Sequence, residues 1–163
     1  MSTSSTIPPL TGSVILELPI TEAFRFFTES FNAWWPPQYH IGQADMAEAV
    51  LEGRLGGRWY ERGADGSECD WGEVRVFEPP TRLVVSWQIN GYWQYDPDPA
   101  HASEVDIRFT AEGPGQTLVE IEHRGFEHLV AGQELRDGIT GGGGWDLLLQ
   151  QFAKTATGRD TPR

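Results

Sequence analysis

The sequence predicts an α+β domain in which a curved antiparallel sheet wraps around one long helix near the C-terminus. Three observations support this prediction. The segments between residues 13 and 124 alternate polar and apolar residues, as half-buried strands do. Turn sequences rich in glycine and proline join these segments over short distances, which is typical of an antiparallel meander. Residues 145–156 carry an apolar stripe at helical spacing, and such a helix needs a sheet to cover it.

The chain is expected to begin with a tail, a strand and a helix. We predict a flexible tail over residues 1–12 and a half-buried strand over residues 13–18. Thr21 is placed to cap a helix over residues 22–31. The two prolines at 36–37 are expected to prevent any continuation of that helix.

Six further strands are expected to complete the sheet. Turn clusters separate them, and the prolines within residues 92–103 make that segment a long loop rather than a central strand. Residues 126–140 are ambiguous between a short helix and a lid. The predicted strands cover residues 48–53, 58–62, 70–77, 82–89, 104–111 and 117–124.

The last helix follows four glycines at 141–144, which we interpret as a hinge for a lid over residues 126–144. Gly158 is placed to stop the helix. These limits give a single domain over residues 13–157, with a C-terminal tail over residues 158–163. The apolar stripe consists of Trp145, Leu148, Leu149, Phe152 and Ala156.

Composition excludes several classes of partner. The net charge of −12 argues against nucleic acid and against an anionic membrane surface, since both need a basic face. The lone cysteine, Cys69, excludes an internal disulfide, and the scattered histidines indicate no metal site. The glycine run lacks both phosphate-binding motifs, so we expect no cofactor. Without an apolar span or a signal peptide, the expected location is the cytoplasm.

The sequence WGEVRVFEPPTRLVVSW at residues 71–87 resembles a hairpin of the activator of heat-shock-protein ATPase homologue family. That family belongs to the START-like, helix-grip superfamily, also called SRPBCC. Three further pieces agree in order, and together the resemblance covers residues 13–156. They are the strand and helix of residues 14–27, the GGRW sequence at 56–59, and HRGF at 123–126 followed by GW at 144–145.

The resemblance implies a sheet that curls around the C-terminal helix and encloses a cavity. In many relatives such a cavity binds an apolar or amphipathic small molecule. Some relatives stimulate a chaperone ATPase, and distant superfamily members are cyclases or dehydratases of aromatic polyketides. The long loop at 91–103 departs from the shorter members, so ligand size does not carry over.

Aromatic residues are the strongest candidates for the cavity wall, although ordinary core packing is the alternative for each of them. The chain has seven tryptophans. The aromatic rings at 92–95 lie on a loop, where an apolar side chain is exposed to water unless it packs over another surface. The candidate ligand-cavity residues are Trp34, Trp35, Trp59, Glu61, Trp71, Glu73, Trp87, Tyr92, Trp93, Phe109, His123, Trp145 and Leu149.

Three of these candidates could do acid–base chemistry. His123 shares a strand face with residues assigned to the interior, and a histidine titrates near neutral pH. Glu61 lies two residues after Trp59, and Glu73 two residues after Trp71. Each carboxylate is therefore expected on the same strand face as a tryptophan. The alternatives are a hydrogen-bonded core histidine and carboxylates at the rim of a strand.

Three functions remain open at this point. The first is a protein that binds an apolar or aromatic small molecule. The second is a cyclase or dehydratase that uses His123 with Glu61 or Glu73. The third is a regulator of a heat-shock ATPase. The sequence leaves the oligomeric state open, including a homodimer.

Overall fold

The computed structural model of this chain describes residues 6–158. Seven antiparallel strands form one curled sheet in the order β1-β7-β6-β5-β4-β3-β2, with the helices packed against its inner face. The α+β, helix-grip prediction is therefore confirmed. The strands are β1 (Leu10–Leu16), β2 (Met46–Leu51), β3 (Arg58–Gly63), β4 (Glu68–Glu78), β5 (Arg82–Trp87), β6 (Ser103–Gly113) and β7 (Gln116–Arg124).

Four α-helices accompany the sheet: α1 (Ile20–Glu29), α2 (Phe31–Trp34), α3 (Gly132–Gly141) and α4 (Gly144–Thr157). Two short 3₁₀ turns lie at Pro99–His101 and Phe126–His128. The segment that sequence left ambiguous thus contains one of these turns and α3. Within residues 6–158, no helix is long and apolar enough to cross a bilayer.

The N-terminal boundary of the domain differs slightly from the prediction, whereas the C-terminal helix ends where it was expected to end. β1 begins at Leu10, where it pairs with His123 of β7, so residues 10–12 are strand and not tail. Residues 1–5 and 159–163 of the predicted tails lie outside the described part of the chain. Gly158 adopts a left-handed conformation with φ of 71° at the C-cap of α4, as expected for a stop.

The N-terminus of α1 and the segment that follows α1 both differ from what the sequence predicts. The N-cap of α1 is Pro19, which has no side-chain hydrogen bond, so the prediction that Thr21 is the cap is wrong. A further turn of helix, α2, forms before the prolines. Trp35 is the first extended residue, with ψ of 126°, because it precedes Pro36 and its helical conformation is sterically disfavoured.

Strand β4 carries an irregularity that decides which side chains face the core. Its pairing shifts against β3 near Gly72 and against β5 between Val74 and Val76. Trp71 and Val74 are both buried as a result, while Glu73 between them is exposed. Only glycine fits at position 72, where a Cβ atom would lie 1.9 Å from the carbonyl oxygen of Ser86.

Helix α4 is held between the sheet and the first two helices. Its backbone crosses β1 closely, since a Cβ atom on Gly12 would lie 3.0 Å from the Cβ of Trp145. The carboxylate of Asp146 accepts a hydrogen bond of 3.0 Å from the Ser13 backbone N–H. The stripe predicted for α4 is buried at Trp145, Leu148, Leu149 and Phe152.

Trp59 on β3 offers a test of the core. Its indole N–H is buried and has no hydrogen-bond partner in the part of the chain that the structure describes. An unsatisfied buried donor costs about 1–3 kcal/mol. Trp59→Phe should therefore leave the free energy of unfolding unchanged or raise it, whereas Trp59→Ala should lower it by about 3–5 kcal/mol through cavity formation. Urea denaturation would measure both, and an equal loss in the two variants would contradict this account.

Candidate functional site

A cavity of about 330 Å³ lies at the N-terminal end of α4, between that helix, α3 and the inner face of β4 and β5. The segment after α2 closes its remaining side. Its walls are mostly aromatic or aliphatic. The lining residues are Trp35, Gln38, Tyr39, His40, Ile41, Trp71, Trp87, Ile89, Trp93, Gly138, Ile139, Gly142, Gly144, Trp145 and Leu148.

Four tryptophans of this wall have their polar atoms already paired. An indole N–H can only donate, so one acceptor satisfies it completely. These four tryptophans therefore present apolar ring surface to a ligand, while their indole N–H groups are bonded to protein atoms. The four bonds run from Trp35 to the Tyr39 carbonyl (2.9 Å), from Trp71 to Glu61 Oε1 (2.9 Å), from Trp87 to the Ile89 carbonyl (3.0 Å) and from Trp145 to His123 Nδ1 (3.3 Å).

Trp93 covers the mouth of the cavity from the long loop. Its backbone has φ of 60°, a left-handed conformation that is rare for a bulky residue. Its ring lies on α3 at Gly138, where a Cβ atom would come within 2.8 Å of Cζ2. The Gly91 N–H donates to the Val130 carbonyl over 2.9 Å and docks the loop beside α3. Trp93 is nevertheless 44% exposed, so it lines the cavity while part of the residue contacts solvent.

His40 places a polar, half-buried group on the mostly apolar wall. Its Nδ1 lies 2.9 Å from the carbonyl oxygen of Gly42. Since a carbonyl only accepts, Nδ1 carries the proton in the neutral ring, and the lone pair is on Nε2. Among the described residues, Nε2 has no hydrogen-bond partner.

Glu61 on β3 lies behind the wall and is almost completely buried. Its carboxylate accepts hydrogen bonds from the backbone N–H groups of Ile41 (2.5 Å) and Gly42 (3.0 Å) and from Trp71 Nε1 (2.9 Å). Its Oε2 lies 3.8 Å from His40 Nδ1. The carboxylate therefore fixes the segment that carries His40, although it does not itself line the cavity.

His123 is buried behind Trp87 and Trp145 rather than exposed in the cavity. Its Nδ1 accepts from the Trp145 indole, and its Nε2 lies 2.9 Å from Ser103 Oγ, which donates to the Trp87 carbonyl. This chain of donors requires a neutral ring with the proton on Nε2. Burial lowers the pKa of His123 to about 3. These contacts favour the alternative of a hydrogen-bonded core histidine over an acid–base role, because both nitrogens are occupied and the ring resists protonation.

The structure brings five of the predicted residues together at the cavity: Trp35, Trp71, Trp87, Trp93 and Trp145. Others pack in the core, as the alternative interpretation held. Those are Trp34, Trp59, Phe109 and Leu149. Trp34 and Phe109 share a ring cluster with Phe27. Glu73 and Tyr92 are exposed and do not line the cavity, Glu73 because of the β4 irregularity.

Sequence reasoning missed the segment at residues 38–41 and the α3 residues Gly138 and Ile139. The signal that could have pointed to residues 38–41 was the proline pair at 36–37, which ends the helix and redirects the chain just before these lining residues. Within the described residues, no three His, Cys, Asp or Glu side chains are grouped to hold a metal. Burial raises the pKa of the Cys69 thiol to about 11, so that thiol is neutral near pH 7.

The curved antiparallel sheet, the helix held inside it and the aromatic cavity between them define a helix-grip protein of the START-like, or SRPBCC, superfamily. Residues 17–157 match the family described as activator of Hsp90 ATPase homolog 1-like protein, and the chain belongs to that family. No curated protein matches this chain significantly.

Several solved structures match this chain over nearly its whole length. The anthrahydroquino-γ-pyrone synthase Txn09 is 33% identical over 92% of this chain and 97% of that chain, with a TM-score of 0.65. CalC of Micromonospora echinospora, a self-sacrificing resistance protein, is 30% identical over 96% and 98%, with a TM-score of 0.68. CalU16 of the same organism, 24% identical over 97% and 83% with a TM-score of 0.58, shows likeness of fold alone.

Proposed function

We propose that this protein binds a planar, mostly apolar aromatic small molecule in the tryptophan cavity. The observation that carries the proposal is that four indole rings wall one cavity of about 330 Å³ while their N–H groups bond to protein atoms. Such walls suit the faces and edges of another aromatic ring, where each pairing contributes about 0.5–1.5 kcal/mol beyond area burial. The volume lies within the range of about 300–1,000 Å³ that small-molecule sites occupy.

The name of one similar protein supports an aromatic ligand. Txn09 is named as a synthase of an anthrahydroquinone joined to a pyrone, a product of fused unsaturated rings. CalC is named as a self-sacrificing resistance protein, without a stated ligand. Both share at least 30% identity with this chain, so a related class of ligand is a reasonable expectation for its cavity.

Catalysis is the second candidate, and the position of His40 favours it. The pair of His123 with Glu61 or Glu73 has no support, since the structure places these groups in separate surroundings. His40 instead lines the cavity, has no hydrogen-bond partner at Nε2 among the described residues, and has a carboxylate 3.8 Å from Nδ1. Regulation of a heat-shock ATPase, a cytoplasmic location and a homodimer stay predictions.

A bulky substitution inside the cavity tests the binding function. Ile139 lines the cavity from α3, so Ile139→Trp should fill part of it and weaken the binding of 1,2-dihydroxyanthraquinone at least ten-fold. Leu147→Trp adds the same ring to an exposed position of α4 and should leave the Kd unchanged. Equilibrium dialysis would measure both variants against the unsubstituted protein. Equal affinity of Ile139→Trp and Leu147→Trp, or no binding by the unsubstituted protein, would contradict the proposal.

A further inference from the structure

We infer that the cavity selects aromatic ligands that carry an acidic hydroxyl group, and that His40 Nε2 accepts the proton of that hydroxyl. This inference rests on the proposed binding function and names the ligand class more narrowly. It assigns a chemical role to a residue that the sequence did not single out.

The first argument is the scarcity of available polar atoms on the wall. Of the five tryptophans that line the cavity, all but the partly exposed Trp93 have an indole N–H that is committed to a protein acceptor. Among the other lining residues, Gln38 and Tyr39 are exposed, while His40 is half-buried. A ligand hydroxyl that enters the cavity has to find an acceptor, because a buried polar group without one costs about 1–3 kcal/mol.

The second argument is the tautomer of His40. The Gly42 carbonyl, 2.9 Å from Nδ1, fixes the proton on that nitrogen and leaves a basic lone pair on Nε2. In this state Nε2 can accept a hydroxyl hydrogen but has no hydrogen to donate, since the one N–H of the ring donates to Gly42. The site is therefore matched to a ligand O–H and not to a ligand carbonyl oxygen.

The third argument is the fixed negative charge beside the ring. Three donors hold the Glu61 carboxylate in place, and its Oε2 lies 3.8 Å from His40 Nδ1. When the proton moves, the ligand O–H bond breaks, its electron pair stays on oxygen, and a new N–H bond forms at Nε2. The resulting imidazolium keeps its hydrogen bond to Gly42 and gains attraction both to Glu61 and to the aryloxide.

The other groups around His40 do not oppose this transfer with positive charge. None of the other residues that line the cavity is a lysine or an arginine. From β4, the Cys69 side chain approaches Gly42, and burial raises the pKa of that thiol so that it stays neutral. Glu61 is thus the charged group in contact with the ring.

Two dyes separate this inference from the binding function itself. Unsubstituted 9,10-anthraquinone has no hydroxyl, whereas 1,2-dihydroxyanthraquinone has hydroxyls whose ionisation moves its visible absorption to longer wavelength. At a pH where the free hydroxyl dye is neutral, we expect the protein-bound dye to show the absorption of its anion. We also expect it to bind at least ten-fold more tightly than 9,10-anthraquinone.

Substitutions at His40 complete the test. His40→Gln keeps a hydrogen-bonding side chain that cannot take a proton, and His40→Phe removes hydrogen bonding. Both should abolish the anion absorption, and His40→Phe should also abolish the preference for the hydroxyl dye. His128→Gln, at an exposed histidine away from the cavity, should behave as the unsubstituted protein. Thermal melts would show that all three variants are folded.

Each outcome decides one of the two proposals. If neither dye binds the unsubstituted protein, the binding function fails. If both dyes bind equally and the bound hydroxyl dye stays neutral, binding stands and the role of His40 is overturned. Retention of the anion absorption in His40→Gln would also overturn it, because another group would then be the proton acceptor.

Discussion

Replacing Phe152 by alanine should lower the free energy of unfolding by about 3–5 kcal/mol. Phe152 is fully buried on α4 and lies where that helix meets α1 and α2. Its ring centroid is 5.2 Å from that of Phe27 and 5.3 Å from that of Trp34, both in edge-on contact. The substitution removes these aromatic pairs and leaves a void in a close-packed layer, so the transfer and cavity contributions add.

Leu147→Ala is the matched control on the same helix. Its side chain is 48% exposed, so its truncation should cost no more than about 0.5 kcal/mol. Guanidinium denaturation of both variants would give the comparison, with equal m-values as a check that the transition is unchanged. A loss below about 1 kcal/mol for Phe152→Ala would show that α4 is not held as tightly as its contacts indicate.

The two sides of α4 show how far a helical stripe can be read from sequence. The spacing of Trp145, Leu148, Leu149 and Phe152 identified the buried side correctly, because helical geometry is regular and the residues follow one another without interruption. The same stripe could not show that Trp145 and Leu148 line a cavity while Leu149 and Phe152 fill the core. That division depends on where α3 and the Trp93 loop end, which is set by tertiary contacts.

Strand faces were predictable only where the pairing is regular. On β7, Val119, Ile121 and His123 alternate as expected because no irregularity interrupts that stretch. On β4, simple alternation assigned Glu73 to the face of Trp71, and the shifted pairing at Gly72 turned it outward. The cause is a close approach between Gly72 and the Ser86 backbone, a contact between strands that no single-strand pattern contains.

Acidification should destabilise the fold through His123 at a higher pH than through its carboxylates. The unfolded-state pKa of a histidine is about 6.5, whereas burial lowers the pKa of folded His123 to about 3. Below pH 6.5 His123 is protonated in the unfolded chain but stays neutral in the folded chain. The stability contributed by the neutral ring is therefore complete above pH 6.5. It falls by about 1.4 kcal/mol per pH unit until the folded pKa is reached.

Asp106 affects the free energy of unfolding over a separate and lower range of pH. Burial alone would raise the pKa of Asp106, but hydrogen bonds from Arg82, Arg124 and Arg108 outweigh it and hold the pKa at about 2. Its stabilising contribution is present above its unfolded-state pKa of about 3.8 and is lost only as the pH falls toward 2. His101 acts in the opposite direction, because its hydrogen bond to the partly buried Asp96 raises its pKa, but the His101 side chain is 42% exposed, which weakens the effect. The interval from pH 6.5 to 4.5 therefore contains the loss from His123 and lies above the range in which Asp106 acts.

His123→Leu should flatten the acid side of the stability profile. Urea denaturation of the unsubstituted protein between pH 6.5 and 4.5 should show about 2–3 kcal/mol more loss than the variant shows. The variant should start from a lower value at pH 7, since the Trp145 N–H loses its acceptor and Ser103 Oγ loses a partner. His128→Gln, which alters an exposed histidine, should keep the steep slope. Parallel profiles for His123→Leu and the unsubstituted protein would mean that His123 takes up its proton in the folded state, and the donor chain from Trp145 to Trp87 would then be incorrect.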